Sequence, residues 1–203
     1  MGEGEETVVD LLDSLSNRNP LSKVKGIAYR EGEKVYINER RPLIKDNNTI
    51  PFPAYSLFPI KYYRLLREPH ATNTDFVMPM ISGRGCRFQC GFCYRMDEGI
   101  RSRSSESIIE EIKLLKRDYG ITYINFDDEL LVSSSKRTAD LCEDFISASL
   151  NIKWNCNGRL NFAKLDLLEL MKKAGCTFIN YGIEAMDDEV LKNIKKGLTT
   201  TQK

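Results

Sequence analysis

Ile81-Ser82-Gly83-Arg84-Gly85-Cys86-Arg87-Phe88-Gln89-Cys90-Gly91-Phe92-Cys93-Tyr94-Arg95 is the stretch on which the reading of this chain turns. Its three cysteines stand at the spacing C-x3-C-x2-C, with three glycines threaded among them. A segment this short can fold back on itself and bring the thiolates of Cys86, Cys90 and Cys93 to three corners of one cubane cluster. A four-iron cluster ordinarily takes four cysteine ligands, but the next cysteine is Cys142. One iron would keep an open position, by the logic that separates catalytic zinc sites from closed structural ones. With 6 cysteines in 203 residues, chance would produce this spacing at a rate on the order of half a percent.

The same cysteines are open to a plainer reading, as a zinc knuckle or as inert reduced thiols. Zinc usually takes C-x2-C pairs and four Cys or His ligands, and the one histidine of the chain is His70. Composition narrows the class: 41% hydrophobic and 29% charged residues are ordinary for a soluble domain. A net charge of +1 gives no sign of nucleic acid or of a membrane surface as partner. No apolar run approaches membrane-spanning length, and the acidic start Met1-Gly2-Glu3-Gly4-Glu5-Glu6 has no signal-peptide features. A cytoplasmic location is expected, where thiols stay reduced and can hold a cluster.

Upstream of the cysteines, residues 5–19 read as a helix, with Val8, Leu11, Leu12 and Leu15 at helical spacing. Ile27–Arg30 and Val35–Asn38 flank the turn Glu31-Gly32-Glu33-Lys34 and predict a hairpin. Six of the seven prolines fall between Arg41 and Pro79, which predicts an extended connector. The expected division is 1–40, 41–75 for the connector, and 76–203 for the body that carries the cysteines.

Phe76–Ile81 reads as a strand that enters the cysteine loop, and beyond Cys93 a βα rhythm takes over with no proline. Ser107-Ile108-Ile109-Glu110 has capping-box spacing, Ile108, Ile112, Leu115 and Tyr119 mark one face, and Gly120 ends that helix. Strands follow at 121–126, 153–157 and 176–183. Helices run from Ser133-Ser134-Ser135 to about Ser149, from an Asn161 cap through Leu165, Leu168 and Met171 to Gly175, and from Asp187 to Lys196. Four strands alternating with helices argue for parallel pairing. In a parallel barrel, functional groups sit where strands end. The cysteines follow the first strand, Asp127-Asp128-Glu129 the second, Arg159 the third and Glu184 the fourth, so all face one rim. Taken singly, each acid or Arg159 reads equally as an exposed loop charge, and Asp127-Asp128 as a helix cap. Together they offer carboxylates for an ammonium and a guanidinium for a carboxylate. Arg84, Arg87, Arg95, Arg101 and Arg103 lie around the cysteines in sequence, either tuning an anionic cluster or solvated. Cys142, Cys156 and Cys176 read as packed thiols and Trp154 as barrel packing.

The pattern C-x3-C-x-Φ-C after a first strand resembles the radical S-adenosylmethionine (SAM) superfamily. The hairpin and connector, "KGIAYREGEKVYINER…IPFPAYSL", resemble the junction found in its cobalamin-associated branch, and Asp127-Asp128-Glu129 at the end of strand two is closer to that branch's Phe-x-Asp-Asp pattern than to the Gly-Gly-Glu of many members. The resemblance implies an α/β fold: a partial (β/α)6 TIM-like barrel truncated after about four strands, behind an N-terminal helix, hairpin and proline-rich connector. It implies Cys86, Cys90 and Cys93 as ligands of a 4Fe-4S cluster whose open iron is chelated by SAM. Phe92 would lie against adenine, Asp127, Asp128 and Glu129 would receive the methionyl ammonium, and Arg159 and Glu184 would contact SAM. An electron from the cluster would cleave SAM and release a 5′-deoxyadenosyl radical that acts on a small organic substrate, with a flavodoxin or ferredoxin as electron donor. Methyl transfer and rearrangement both stay open. Residues 1–40 would be the tail of a cobalamin-binding-like domain. The cobalt-ligating Asp-x-His-x-x-Gly has no counterpart here, so cobalamin is expected only with a preceding domain. Strands five and six are not found, and the chain reads as a piece of a longer protein.

Two other classes compete: an iron–sulfur electron-transfer or binding module without SAM chemistry, and an inert fragment of an enzyme. Electron carriers normally complete their cluster with a fourth cysteine, which this motif lacks. Replacing Cys90 with Ala is expected to abolish the cluster. Anaerobic reconstitution of that variant with iron and sulfide checks it, and an unchanged visible spectrum contradicts the ligand set.

Overall fold

The structure, a computed structural model, describes residues 2–65, 68–94 and 99–201. Two units divide the chain, Met1–Ile50 and Pro51–Lys203. In the first, helix α1 (Glu5–Ser16) places Glu5 and Glu6 in its first turn, where carboxylates favour the unpaired N–H groups of a helix start. Strands β1 (Ala28–Glu31) and β2 (Lys34–Ile37) form the expected antiparallel hairpin, with Glu31 opposite Lys34. Gly32 takes φ 59, the left-handed conformation a two-residue hairpin loop demands. Asn38 Nδ2 donates to the carbonyls of Leu21 and Val24, both at 2.7 Å, and ties the hairpin to the turn before it. The apolar stripe that identified α1 is not buried, since Val8, Leu12 and Leu15 stay about half exposed.

The second unit begins inside the stretch expected as connector. Tyr55 and Ile60, the latter opening the one-turn helix α2 (Ile60–Tyr63), are buried in the core of this unit. Tyr55 also donates its hydroxyl hydrogen to the buried Glu111 carboxylate, which pairs in turn with Arg103. Prolines stop the segment from forming a long helix, but they leave its aromatic and aliphatic side chains free to fill the core.

The body then runs β3 (Val77–Met80), a two-residue ribbon of β4 (Gly83–Arg84) and β5 (Arg101–Ser102), α3 (Ser105–Tyr119), β6 (Tyr123–Phe126), α4 (Ser135–Ser147), β7 (Lys153–Gly158), α5 (Leu165–Lys173), β8 (Cys176–Tyr181) and α6 (Asp188–Asn193). Strands β3, β6, β7 and β8 pair in that order, all parallel, as the βα alternation predicts. Among the described residues this sheet has four strands and does not close on itself. It is a partial TIM-like barrel, as expected.

Period-two alternation sorts the strand side chains between two faces. Met78, Ile124 and Trp154 stand side by side in register, with Met80 beside Phe126, and all are buried in the core. Trp154 meets Phe126 and Phe145 edge-on at 5.8 and 6.2 Å between ring centroids, and its Nε1 donates to the Ala174 carbonyl at 2.9 Å. The tryptophan therefore satisfies its one polar group while burying its rings. Pro79, Asn125 and Asn155 share the opposite face in register. At the β3 edge, the carbonyls of Phe76 and Met80 accept from Tyr123 and Asp127 of the neighbouring segment. By alternation, the backbone of Pro79 points outward, where its missing N–H costs the sheet no bond.

Two helix starts differ from expectation. The cap of α3 is Ser104, whose hydroxyl accepts from Ser107 N at 3.2 Å. Ser107 is already in the first turn, because Ile108 and Ile112 can both face the core only if the helix begins earlier. Asn161 does not cap α5. It sits in a 3-10 turn (Leu160–Phe162) and donates to the Gly197 carbonyl, while α5 starts after Lys164 with no side-chain cap. Consequently Leu167 joins the core and Leu165 is exposed. Gly120, at φ 72, ends α3 as expected. Among the described residues no helix is long and apolar enough to cross a membrane.

Gly175 joins α5 to β8 at φ 98, and a Cβ there would collide with the Ile152 carbonyl oxygen. Gly175→Ala is expected to cost about 2–4 kcal/mol, from left-handed backbone strain plus displacement of a strand end. Urea denaturation of the two proteins measures it.

Candidate functional site

A parallel sheet delivers every strand's C-terminal end to the same rim, and here that rim is cross-tied by polar side chains. The chain leaves β3 at Ser82, which is fully buried. Asp128, just past β6, takes the Ser82 backbone N–H at 2.6 Å on one carboxylate oxygen and the Ser82 hydroxyl on the other. Arg137 of α4 donates to the Ser82 hydroxyl oxygen at 3.1 Å and to its carbonyl at 3.2 Å. Asn157 Nδ2 donates to the Asp128 carbonyl at 2.9 Å, and Asn180 Nδ2 to Asn157 Oδ1 at 3.2 Å. One line of hydrogen bonds thus runs from the exit of β3 across all four strands.

The cysteine loop hangs from this rim on the β4–β5 ribbon. Gly85, at φ 84, brings the two sides so close that any Cβ there would strike the Gly99 carbonyl. Cys86 is partly exposed, Cys90 buried and Cys93 exposed. A turn bond from Cys93 N to the Cys90 carbonyl, 3.3 Å, brings the second and third cysteines together. Burial, followed by the charges of Cys90 and Cys86, pushes the Cys93 thiol above its ordinary range, with Lys196 pulling the other way. The three sulfurs therefore feel one another. Among the described residues, however, no group of three or more Cys, His, Asp or Glu side chains gathers around a single-ion position. A zinc ion with sulfur at ~2.3 Å requires its donors to converge on one point. Thiolates of a polynuclear cluster each bind a separate iron, so a cluster does not require its donors to meet at one point. The other three cysteines are elsewhere: Cys142 and Cys156 in the hydrophobic core and Cys176 packed against it. Burial drives the Cys142 thiol up to about 12, and the hydrogen bond between Cys156 and Cys176, with burial, drives Cys156 well above its usual value.

The other residues expected at the rim are all near it, in different circumstances. Asp127 is exposed, its carboxylate accepts from Asn125 Nδ2 at 2.8 Å, and partial burial raises its pKa. Asp128 is 4% exposed and occupied with Ser82. Glu129 is exposed. Phe92 is half exposed, with Lys196 Nζ 5.6 Å from its ring centre. Glu184 adopts φ 65 and pairs with Lys196 at 2.8 Å. Arg159 is buried and donates to Cys90 Sγ at 3.4 Å. Of the arginines around the loop, Arg87 donates to the Ser133 carbonyl and Arg103 to Glu111 and Ile81, while Arg95 lies outside the described residues. Sequence reasoning missed Lys196, Ser82 and Arg137. Lys196 follows Lys195 near a helix end and looks like an ordinary solvated cation, yet it is 6% exposed. No local pattern distinguishes the two.

Known proteins resemble this chain in sequence and in fold. The family model described as "Radical SAM superfamily" matches residues 80–202. An uncharacterized methyltransferase of Pyrococcus horikoshii is 35% identical over 204 residues, covering 99% of this chain and 43% of that protein. The anaerobic magnesium-protoporphyrin IX monomethyl ester cyclase of Cereibacter sphaeroides is 29% identical over 210 residues, covering 99% of this chain and 33% of its own length. The chain thus spans less than half the length of either relative. Among solved structures, the cobalamin-dependent SAM radical enzyme OxsB with aqua-cobalamin bound superposes with a TM-score of 0.77 at 24% identity, over 99% of this chain and 30% of that one. The radical SAM methyltransferase TsrM from Kitasatospora setae gives 0.74 at 16% identity, over 98% of this chain and 40% of its own. These two share the fold.

Burial, opposed by the Ser82 hydrogen bonds and the Arg137 charge, raises the Asp128 carboxyl to about 6. A carboxyl whose pKa is higher folded than unfolded favours folding most when protonated. Its contribution is complete below pH ~4 and is lost as pH rises through about 6. Asp128→Asn should remove this loss, worth roughly 3 kcal/mol at neutral pH. Urea midpoints of both proteins between pH 4.5 and 7.5 check this: the parent should lose ground to the variant as pH rises, and parallel curves would refute it.

Proposed function

The chain belongs to the radical SAM superfamily, and from that premise we propose that it carries the SAM-cleaving half of an enzyme acting on a small organic substrate. Its family implies a 4Fe-4S cluster and SAM as cofactors. One observation carries the assignment to particular residues. Cys86, Cys90 and Cys93 share one rim loop, while Cys142, Cys156 and Cys176 are packed in or against the core. Within these residues, Cys86, Cys90 and Cys93 would hold the cluster, which would supply the electron for reductive cleavage of SAM.

The chain's own residues bind and orient. The ribbon β4–β5 and the Asp128–Ser82 tie hold the loop base in place, so that three sulfurs are presented without a large ordering cost on loading. Asp127, Asp128 and Glu129 are the proposed carboxylates for the methionyl ammonium; Asp127 and Glu129 are exposed, and Asp128 also serves Ser82. Phe92 offers its half-exposed ring and backbone to adenine. Glu184, which pairs with Lys196, is the proposed further contact for SAM. Similarity to a methyltransferase and to a cyclase supports methyl transfer or ring closure as the step after radical formation. A flavodoxin or ferredoxin is the proposed electron donor. Cobalamin is named for OxsB, and its use here is proposed only together with a domain beyond these 203 residues, because the sequence has no Asp-x-His-x-x-Gly.

Anaerobic reconstitution with iron and sulfide, followed by dithionite and SAM, is expected to produce 5′-deoxyadenosine in the 203-residue chain, detected by chromatography. A redox-active cluster without the nucleoside would favour an electron-transfer module, and no cluster would overturn the site.

A further inference from the structure

Arg159 is held more tightly than a cofactor-binding side chain at a rim would need to be. It follows β7 and is 5% exposed. Its Nη1 donates to Cys90 Sγ at 3.4 Å, its Nη2 to the Lys196 carbonyl, and its Nε to Asn161 Oδ1 at 3.3 Å. The guanidinium lies over the Phe88 ring, with its carbon 3.7 Å from the ring centre. Phe88 belongs to the cysteine loop, between Cys86 and Cys90. The cation therefore grips the loop twice, through a ring face and through a sulfur, and the remainder of its donors are directed into protein.

We infer that Arg159 is a positioning residue that sets the redox potential of the cluster through Cys90, in place of, or in addition to, any contact with SAM. The inference rests on the proposed cluster site. Hydrogen bonds to cluster sulfurs and nearby charge are what a protein uses to move such potentials. A guanidinium carries a fixed positive charge, and reduction adds one electron to an anionic thiolate-bound core. A cation 3.4 Å from a ligand sulfur in a dry setting favours the reduced state and raises the potential. The bond to the Lys196 carbonyl, and the one from Gly91 N to the Ile194 carbonyl at 2.9 Å, brace this arrangement from the segment after α6. Hence the geometry around Cys90 also depends on Ile194 and Lys196, more than a hundred residues downstream.

The test is a potentiometric titration of the reconstituted 203-residue chain, followed by electron paramagnetic resonance, beside Arg159→Gln and Arg159→Lys. Iron and sulfide content are matched first. Arg159→Gln, which keeps a donor but not the charge, should titrate at a more negative potential than the parent, and Arg159→Lys between the two. Equal potentials in all three overturn the inference while leaving the cluster site intact. Failure of the parent itself to take up a cluster overturns the site and this inference with it. Should Arg159→Gln not fold, Phe88→Leu keeps the question answerable. It removes only the ring beneath the cation and should move the potential in the same direction by a smaller step, whereas an unmoved potential counts against the inference.

Discussion

A carboxylate placed in a nearly dry position determines where the cysteine loop starts. Asp128 gives both oxygens to Ser82, one to its N–H and one to its hydroxyl, and the opposing charge of Arg137 stands beyond. Leaving either partner unpaired would cost the desolvation of a buried polar group, so the exits of β3 and β6 are locked at one separation. Asn157 and Asn180 extend the lock to β7 and β8. Every residue assigned a chemical role is attached to a strand end within this tie. The alignment of the rim thus depends on polar bonds as much as on the hydrophobic face below it.

The loop itself is held from two independent directions. Its base is pinched by a two-residue ribbon that only glycine at position 85 can close. Its middle is held by Arg159 from the end of β7 and by the Ile194 carbonyl from beyond α6. Cys93, between these supports and the outside, is the most exposed of the three cysteines. A rigid inner sulfur with a freer outer one suits a site that must form around an inorganic core and still leave one side open.

Much of this was legible in the residues. The order of strands and helices, their parallel pairing, the hairpin, and the gathering of four strand ends at one rim follow from apolar periodicity and punctuation by glycine and serine. The three cysteines could be singled out because their spacing is improbable and chemically specific. What escaped was decided by three-dimensional packing. Ser107 and Ser104 offer equally good caps, and only the need to bury Ile108 and Ile112 together chooses between them. Asp128 and its neighbours Asp127 and Glu129 look alike in sequence, yet one is buried in a structural bond and two are exposed. Lys196 differs from Lys195 only in what the fold places around it: Glu184, Phe92 and the cysteine loop. Long-range pairings of this kind leave no local periodicity to detect.

The two edges of the sheet are not equivalent. On the outer side of β3, the imide nitrogen of Pro79 has no hydrogen to offer, so a neighbouring backbone would find a gap in the ladder there. Along β8, the other edge of this sheet among the described residues, Cys176-Thr177-Phe178-Ile179-Asn180-Tyr181 contains neither proline nor glycine. A strand that added by backbone pairing would meet a proline along β3 and none along β8.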